Sequence, residues 1–223
     1  MSEWWTYTLA DLLMFSARTY YRLFELYNRD IWPAHVLADA AGMLVIGCIV
    51  RAGALAYRIA YSLLAVSWGW IAWAYHWERY ADINIAAPYF AAGFSLQALM
   101  LGWLALQPNE VPAERAPARL AAGIVGLSVI GYPLLALREG RGWVQAEIFG
   151  IAPDPTVAAT LGVLLVSRGH WVTWSIPIAW CAVNGATLME LQVDHAWLLP
   201  ALAVVTVAVG LFSRRVTHPG AML

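Results

Sequence analysis

Ionisable and hydrogen-bonding side chains are concentrated in one stretch of an otherwise apolar chain, residues 67–84, SWGWIAWAYHWERYADIN. The stretch carries four tryptophans within ten residues and then turns polar, with His76, Glu78 and Asn84. Dense tryptophan followed by charge is typical of a transmembrane helix that leaves the lipid and enters the headgroup layer. Imidazole and carboxylate groups at such a place could bind a proton or a metal ion.

Further ionisable groups lie at the ends of other apolar stretches, which the chain order assigns to the same side. His35 and Asp39 are four residues apart and therefore share one face of a helix. The candidates for a cavity that binds a proton or a ligand are His35, Asp39, His76, Glu78, Asn84, Glu190, Asp194 and His195. We expect the His76 imidazole to pair with a carboxylate of Glu190, Asp194 or Asp39.

Three interpretations fit this set of side chains. The first is a proton relay or substrate cavity lined by Asp39, His76 and Glu190. The second is a transition-metal site that uses His35, His76 and His195, because imidazole and carboxylate suit zinc, copper or iron. No HxxxH or HExxH spacing supports the metal site, and the sequence identifies no other cofactor. The third interpretation is that these polar groups only hold helix ends together.

The composition predicts a membrane protein. Of the 223 residues 61% are hydrophobic and 12% are charged, whereas a soluble domain carries about 25% charged residues. The mean hydropathy is +0.63. The net charge of -1 leaves no basic patch for nucleic acid. Cys48 and Cys181 lie inside apolar runs without metal-ligand spacing, which predicts buried free thiols.

The first predicted element is an amphipathic helix over 9–27 with Thr8 as its N-cap, because apolar residues recur there every three or four positions. The helix is too charged to span a bilayer, so we expect it to lie along the membrane surface. Its expected buried face is Leu12, Phe15, Tyr20 and Phe24, and its expected outer face is Arg18 and Arg22. It belongs to an N-terminal segment 1–31, which precedes a helical bundle over 32–213 and a short tail over 214–223.

The predicted fold is all-α, a polytopic transmembrane helical bundle with about seven spans. The spans cover about 33–50, 54–77, 85–106, 120–137, 156–166, 174–191 and 196–212. The fifth is short, because eleven residues at 1.5 Å each cover roughly 17 Å, about half of a bilayer core. It either extends through Ser167 and Arg168 or is a re-entrant segment, which would leave six full spans.

The distribution of arginine predicts the orientation. Seven spans place the connectors 76–84, 138–155 and 191–195 on the side of the N-terminal segment. That side holds four arginines outside the interfacial helix, and the other side holds seven. The positive-inside rule then favours an outside N-terminus and a cytoplasmic C-terminus.

Several short motifs follow one another in order from about Tyr27 to Pro200. They are Tyr27-Asn28 with Ile31-Trp32-Pro33, Trp70 with Tyr75-His76, Ile83-Asn84 and Ala86-Ala87, Tyr132-Pro133, Phe149-Gly150 with Pro153 and Pro155-Thr156, Thr160-Leu161-Gly162, Ile176-Pro177 with Trp180, and Asp194. In this order they resemble a widespread bacterial family of small multi-pass membrane proteins of uncharacterised function. The resemblance implies a multi-pass protein of the bacterial inner (plasma) membrane and supplies no activity.

The chain departs from that pattern at two positions in the long connector. It has Gly140-Arg141 where the resemblance implies Gly-His, and Asp154 where the resemblance implies a cysteine between the two prolines. A metal site that used that histidine and cysteine is therefore disfavoured.

We therefore expect an integral membrane protein with an outward-facing polar cavity, a small transporter or channel for a small solute, an ion or a proton. The alternatives are a metal- or cofactor-binding membrane protein, either an enzyme or an accessory subunit, and a structural subunit of a larger membrane complex. No GxSxG, P-loop or paired CxxC motif is present, which disfavours an enzyme. The expected partner is the lipid bilayer, with a second copy of the chain or other subunits of a membrane complex as further candidates.

Overall fold

A computed structural model of the chain describes residues 14–107, 116–166 and 171–217. Throughout these ranges the fold is all-α, as predicted. The helices are α1 (Ala17–Asp30), α2 (Ala34–Arg51), α3 (Ala54–Trp70), α4 (Ala87–Leu106), α5 (Ala116–Gly126), α6 (Tyr132–Arg138), α7 (Pro153–Val166), α8 (Ser175–Glu190) and α9 (Leu198–Thr217). A π-helix over Ile71–Trp77 continues α3, and a second one over Leu127–Gly131 joins α5 to α6.

Each of the seven predicted apolar segments forms a helix, but only some meet the length and apolarity needed to cross a membrane. Within the described residues, three segments do so: Ala34–Arg51, Ala87–Leu106 and Ala118–Arg138. Two others, Pro153–Val166 and Leu198–Ser213, are apolar but shorter. Length and composition therefore support three candidate spans.

Helix α7 is the centre of the bundle. All of its 14 residues are buried, because apolar residues lie on every side of the helix and its neighbours cover every face. Helices α5, α9, α8 and α3 pack against it. It begins three residues before the predicted start at 156, and Ser167 and Arg168, through which it was expected to extend, lie outside the described residues.

Helix α1 packs its apolar face against the aromatic core of the bundle. Tyr20 and Phe24 are buried, and Arg18 and Arg22 are exposed, as predicted. The Phe24 ring stacks on Tyr75 with 5.1 Å between the centroids. The helix therefore buries its apolar face against protein. The predicted continuous helix over 9–27 was wrong at its start, because residues 14–16 are not helical and α1 begins at Ala17, where the Ser16 hydroxyl accepts the backbone N–H of Thr19 at 3.3 Å as N-cap. Thr8 and Leu12 lie outside the described residues.

Helix α1 continues to Asp30, beyond the predicted end at residue 27. The predicted end was wrong because the polar residues after Tyr27 form contacts with distant connectors. Asn28 Nδ2 donates to the carbonyl oxygens of Val144 and Ala146, both at 2.9 Å. The Tyr27 hydroxyl donates to the carbonyl oxygen of Ile151 at 3.0 Å. These bonds fasten α1 to the connector between α6 and α7.

Large apolar side chains cover the outside of the bundle. Leu37 on α2, Leu99 on α4 and Val204 on α9 are 75%, 72% and 69% exposed. Exposed apolar side chains on several helices are characteristic of proteins that contact lipid or other proteins.

Candidate functional site

The connectors at one end of the bundle come together, and we call this region the polar end. It comprises α1 and residues 79–84, 139–152 and 191–196. Arg79 forms an ion pair with Asp30, with 2.9 Å between nitrogen and oxygen, and Asn28 bonds the 139–152 connector. The Glu139 carboxylate pairs with the His195 ring, which links the 139–152 and 191–196 connectors. The sequence placed these segments on one side, and the contacts join them.

Four of the eight predicted cavity residues face outwards. Glu78, Glu190 and Asp194 are exposed, and so is Asp39 on α2. Exposed carboxylates cannot line an interior cavity together with the fully buried His76. The predicted relay of Asp39, His76 and Glu190 is therefore not assembled in this arrangement.

Asn84 has a local structural role. Its Oδ1 accepts the backbone N–H of Ala86 at 2.9 Å, immediately before α4 begins. Asparagine side chains commonly bond the backbone two residues further on, which forms a local turn. Asn84 thus fixes the turn between the π-helix and α4.

His35 is buried beside the Trp32 ring, with 5.7 Å between the ring centroids. Its Nδ1 atom has no hydrogen-bond partner among the described residues. Asp39 follows one helical turn later on α2 and is exposed. This pair stands apart from His76 and His195, which lie on other elements.

His76 lies in the π-helix and is completely buried. Five aromatic rings surround it, with centroids between 4.5 and 5.9 Å away: Tyr75, Tyr80, Phe90, Phe94 and Trp180. Neither ring nitrogen has a hydrogen-bond partner in the described part of the chain. The predicted pairing with Glu190, Asp194 or Asp39 is therefore wrong, because α3 turns His76 into the aromatic core and those carboxylates face outwards. π-Helical turns frequently occur at functional sites.

The three histidines of the predicted metal site do not converge. Within residues 14–107, 116–166 and 171–217 there is no group of three or more His, Cys, Asp or Glu side chains that could hold a metal ion. His35 lies on α2, His76 lies in the aromatic core, and His195 pairs with Glu139. The described geometry gives the metal interpretation no support.

Two buried carboxyl groups that were absent from the predicted site occupy the interior below the polar end. Asp154, in the first turn of α7, is 1% exposed and accepts two hydrogen bonds. The Trp180 indole N–H donates to Oδ1 at 2.9 Å, and the Asn184 amide donates to Oδ2 at 2.6 Å. The start of a helix also favours negative charge. Burial nevertheless raises the pKa of the Asp154 carboxyl above its ordinary value, and the hydrogen bond from Trp180 acts in the opposite direction.

Glu147 has the opposite surroundings. It is 3% exposed, and its Oε2 atom has no hydrogen-bond partner among the described residues. Burial raises the pKa of the Glu147 carboxyl well above its ordinary value. The charge of Asp154 raises that pKa further, and Arg141 acts in the opposite direction. Glu147 therefore favours the neutral, protonated form.

Arg141 and Glu139 form an ion pair in the same connector as Glu147. The Arg141 Nε and Nη2 atoms donate to Glu139 Oε2 at 3.0 and 2.7 Å, and His195 Nδ1 meets the other oxygen of Glu139. Burial would raise the pKa of Glu139, but the bonds to His195 and Arg141 outweigh it and leave that pKa below its ordinary value. The Arg141 guanidinium also lies over the Tyr21 ring, 3.6 Å from its centroid.

A small cavity opens beside this ion pair. Its volume is about 120 Å³, and its lining is Leu135, Arg138, Glu139, Asp194, His195 and Trp197. A wider cleft of about 400 Å³ lies elsewhere at the polar end, between the start of α1 and residues 81–85. Asp194 and His195 were both predicted as cavity residues, and both line the smaller opening.

Ionisable groups lie both at the polar end and in the interior. His195 and Glu139 line the cavity, whereas Glu147 and Asp154 are buried. The Trp180 side chain connects Asp154 with His76, because its N–H bonds Asp154 and its ring contacts His76 with 5.1 Å between centroids. Buried ionisable groups of this kind can hold and exchange protons inside an apolar bundle.

Sequence reasoning missed Glu147 because it lies in a connector, where carboxylates are normally solvated. Asp154 was noticed only as a departure from the resembling pattern, and Arg141 was the other departure. Both residues affect Glu147, because the charge of Asp154 raises the pKa of its carboxyl and the charge of Arg141 lowers it. The one signal for Asp154 was its position between two prolines ahead of an apolar helix.

The chain belongs to a family of unknown function, DUF6064, whose model matches residues 17–220. The match confirms the resemblance to an uncharacterised family and covers all of the helices described above. Comparison with curated proteins gave no match, and comparison with solved structures gave none either.

Proposed function

We propose that this member of the DUF6064 family is an integral membrane protein of the bacterial inner membrane that moves protons, or a small solute coupled to protons. Its proton-binding centre consists of Glu147 and Asp154, with His76 beyond them. The cavity beside His195 is the outward-facing entrance, and the C-terminus of α9 lies on the cytoplasmic side.

The observation that carries this proposal is the burial of two carboxyl groups with opposite surroundings. Asp154 has two N–H donors, whereas Glu147 Oε2 has no partner among the described residues. Burying a carboxyl group without hydrogen bonds destabilises a fold. Ionisable groups inside a membrane bundle are commonly parts of ion or proton pathways for this reason. Environments that separate the proton affinities of two neighbouring carboxyl groups are typical of proton donor and acceptor pairs.

The membrane location is supported by the three apolar helices and by the outer surface of the bundle. Charged side chains such as Arg22, Arg79 and Glu190 lie at the polar end, while the exposed middle parts of α2 and α4 are apolar. This division matches the headgroup and hydrocarbon layers of a bilayer.

Proton flux in liposomes tests the proposal. The purified chain is reconstituted with a pH-sensitive dye inside the vesicles, and a potassium diffusion potential drives proton entry. We expect acidification with the wild type and at least a tenfold slower rate with Glu147→Gln. Glu190→Gln is the matched control, because it removes an exposed carboxylate from the same end of the bundle, and it should keep the wild-type rate.

The flux measurement is repeated with small solutes added to one side of the liposomes under a pH gradient, because a coupled transporter moves protons only with its solute. If the Glu147→Gln and wild-type proteins gave equal flux under every condition, or if neither exceeded empty liposomes, the proposal would be wrong. If the chain instead copurified with other membrane proteins and showed no proton flux, the result would favour a structural role in a larger complex.

A further inference from the structure

Two charged side chains of opposite sign line the 120 Å³ cavity beside His195. Arg138 is the last residue of α6, Asp194 lies in the 191–196 connector, and both are exposed. Within the described residues, neither side chain has an ion-pair or hydrogen-bond partner. A guanidinium and a carboxylate at one opening suit a small molecule that carries both charges, because each charge then meets its opposite.

The His195 ring adds a third polar group to the lining. It is 8% exposed, and its Nδ1 atom meets one oxygen of the Glu139 carboxylate. The other oxygen of Glu139 accepts two N–H bonds from Arg141, which favours the ionised carboxylate. An ionised carboxylate only accepts hydrogen bonds, so we assign the ring hydrogen of His195 to Nδ1. The neutral ring then has its lone pair on Nε2.

That lone pair has no use within the protein itself. The Nε2 atom of His195 is buried and has no hydrogen-bond partner in the described part of the chain. A buried acceptor without a partner destabilises the protein, and a donor on a bound molecule would remove that penalty. An ammonium group is a suitable donor, because its N–H groups can bond both Nε2 and the Asp194 carboxylate and its charge is opposite to that of Asp194.

The volume of the cavity limits the size of this molecule. An apolar cavity of about 150 Å³ holds benzene, so the 120 Å³ cavity fits a molecule of about five or six non-hydrogen atoms. Leu135 and Trp197 form the apolar part of the lining, which suits a hydrogen atom or a methyl group between the two charged groups. Glycine and alanine have this size and these groups.

We propose that the cavity binds a small α-amino acid, of the size of glycine or alanine, as its zwitterion. Arg138 binds the carboxylate of the amino acid, and Asp194 and His195 Nε2 accept hydrogen bonds from its ammonium group. Glu139 is a positioning residue, because it holds the His195 ring through Nδ1. This inference rests on the proposed function, since it names the class of solute that moves with protons.

Equilibrium dialysis of the purified chain with radiolabelled alanine tests the binding without any transport assay. Two analogues separate the charged groups: lactate has a hydroxyl in place of the ammonium group, and ethylamine lacks the carboxylate. We expect alanine to bind at least tenfold more tightly than either analogue. Lactate binding as tight as that of alanine would overturn the inference, and so would a wild type that does not bind alanine.

Substitutions then assign the two charged groups of the ligand to their partners. Arg138→Gln should weaken the binding of alanine and lactate at least tenfold and leave ethylamine unchanged, because only the first two carry a carboxylate. Asp194→Asn should weaken alanine and ethylamine at least tenfold and should not weaken lactate. Glu190→Gln is the matched control, because it removes an exposed carboxylate that does not line the cavity, and it should bind alanine as the wild type does.

A steric variant provides an independent test if a charge substitution prevents folding. Leu135→Phe enlarges a side chain of the lining and should weaken alanine binding at least tenfold. Leu134→Phe makes the same change at a neighbouring position that is 47% exposed and outside the lining, and it should have no effect. Unchanged alanine binding in Leu135→Phe would overturn the inference. Alanine binding without proton flux would contradict the proposed function alone, and flux without alanine binding would contradict this inference alone.

Discussion

The replacement of His76 by phenylalanine should leave the fold at least as stable as the wild type. Both imidazole nitrogens lack partners in the described structure, and five aromatic rings surround the side chain. Each buried polar group without a partner costs about 1–3 kcal/mol. The slightly larger phenyl ring costs about 1–3 kcal/mol through overpacking. The expected net change is a stabilisation of about 1 kcal/mol, or an increase in Tm of about 2–4 °C for a chain of this size.

Alanine and glutamine at the same position provide the comparison. His76→Ala leaves a cavity among the rings and should cost about 2–4 kcal/mol. His76→Gln places an amide where no partner is available, so it should not restore the stability lost in alanine. Thermal unfolding in one detergent, followed by tryptophan fluorescence, measures all three variants. If phenylalanine were as destabilising as alanine, the ring nitrogens would have to form hydrogen bonds, and the reasoning would be refuted.

The same phenylalanine variant separates a structural role of His76 from a functional one. A phenyl ring preserves the packing of the core but cannot bind a proton. If His76 belongs to the proton-binding centre, His76→Phe should be stable and should lose proton flux. A stable variant with wild-type flux would assign His76 to packing and limit the centre to Glu147 and Asp154.

Three further predictions concern stability. Because the folded-state pKa of Glu147 is raised from its ordinary value of 4.5, its contribution to stability is complete below about pH 4.5 and is lost as the pH rises towards that raised pKa. Unfolding at several pH values should therefore show an advantage of Glu147→Gln over the wild type that grows with pH, by at most about 1.4 kcal/mol per unit; a constant difference would contradict this. Asp154→Asn should lower the unfolding free energy by about 1.5–3 kcal/mol, because one of two charged hydrogen bonds is lost, and an unchanged Tm would contradict it. Gly42→Ala should destabilise α2, because a Cβ would lie 2.6 Å from Val129 Cγ2, whereas Gly47→Ala has open space and should raise stability by up to about 1 kcal/mol.

The helices were predictable because apolar periodicity and length determine them locally. Each apolar run became a helix, and one error in a helix end was at α1, where the Asn28 side chain binds the distant 139–152 connector. Local patterns cannot predict such a contact, since it depends on residues more than a hundred positions away. The central position of α7 was also not predicted, although the sequence shows that apolar residues lie on every side of this helix.

The site was predicted less well, because the exposure of a side chain depends on how its helix is rotated about the helix axis. His76 follows Tyr75 at the end of a tryptophan-rich helix, and the sequence indicated that it would emerge into the polar layer. The π-helix over Ile71–Trp77 changes the direction of the side chains in that turn and buries His76. His195 was placed correctly at the polar end, but its partner is Glu139, which the sequence did not single out.

The surroundings of the two interior carboxyl groups indicate which of them also stabilises the fold. Asp154 joins α7 to α8 through two hydrogen bonds to Trp180 and Asn184, so a structural role explains its burial. No such bond explains the burial of Glu147, whose Oε2 atom has no partner among the described residues. Its retention in the interior lowers stability at neutral pH, whereas glutamine or an apolar residue at that position would avoid the cost. The group whose burial the fold does not require is therefore the stronger candidate for the proton carrier, while Asp154, which also joins α7 to α8, is the second group of the proposed centre.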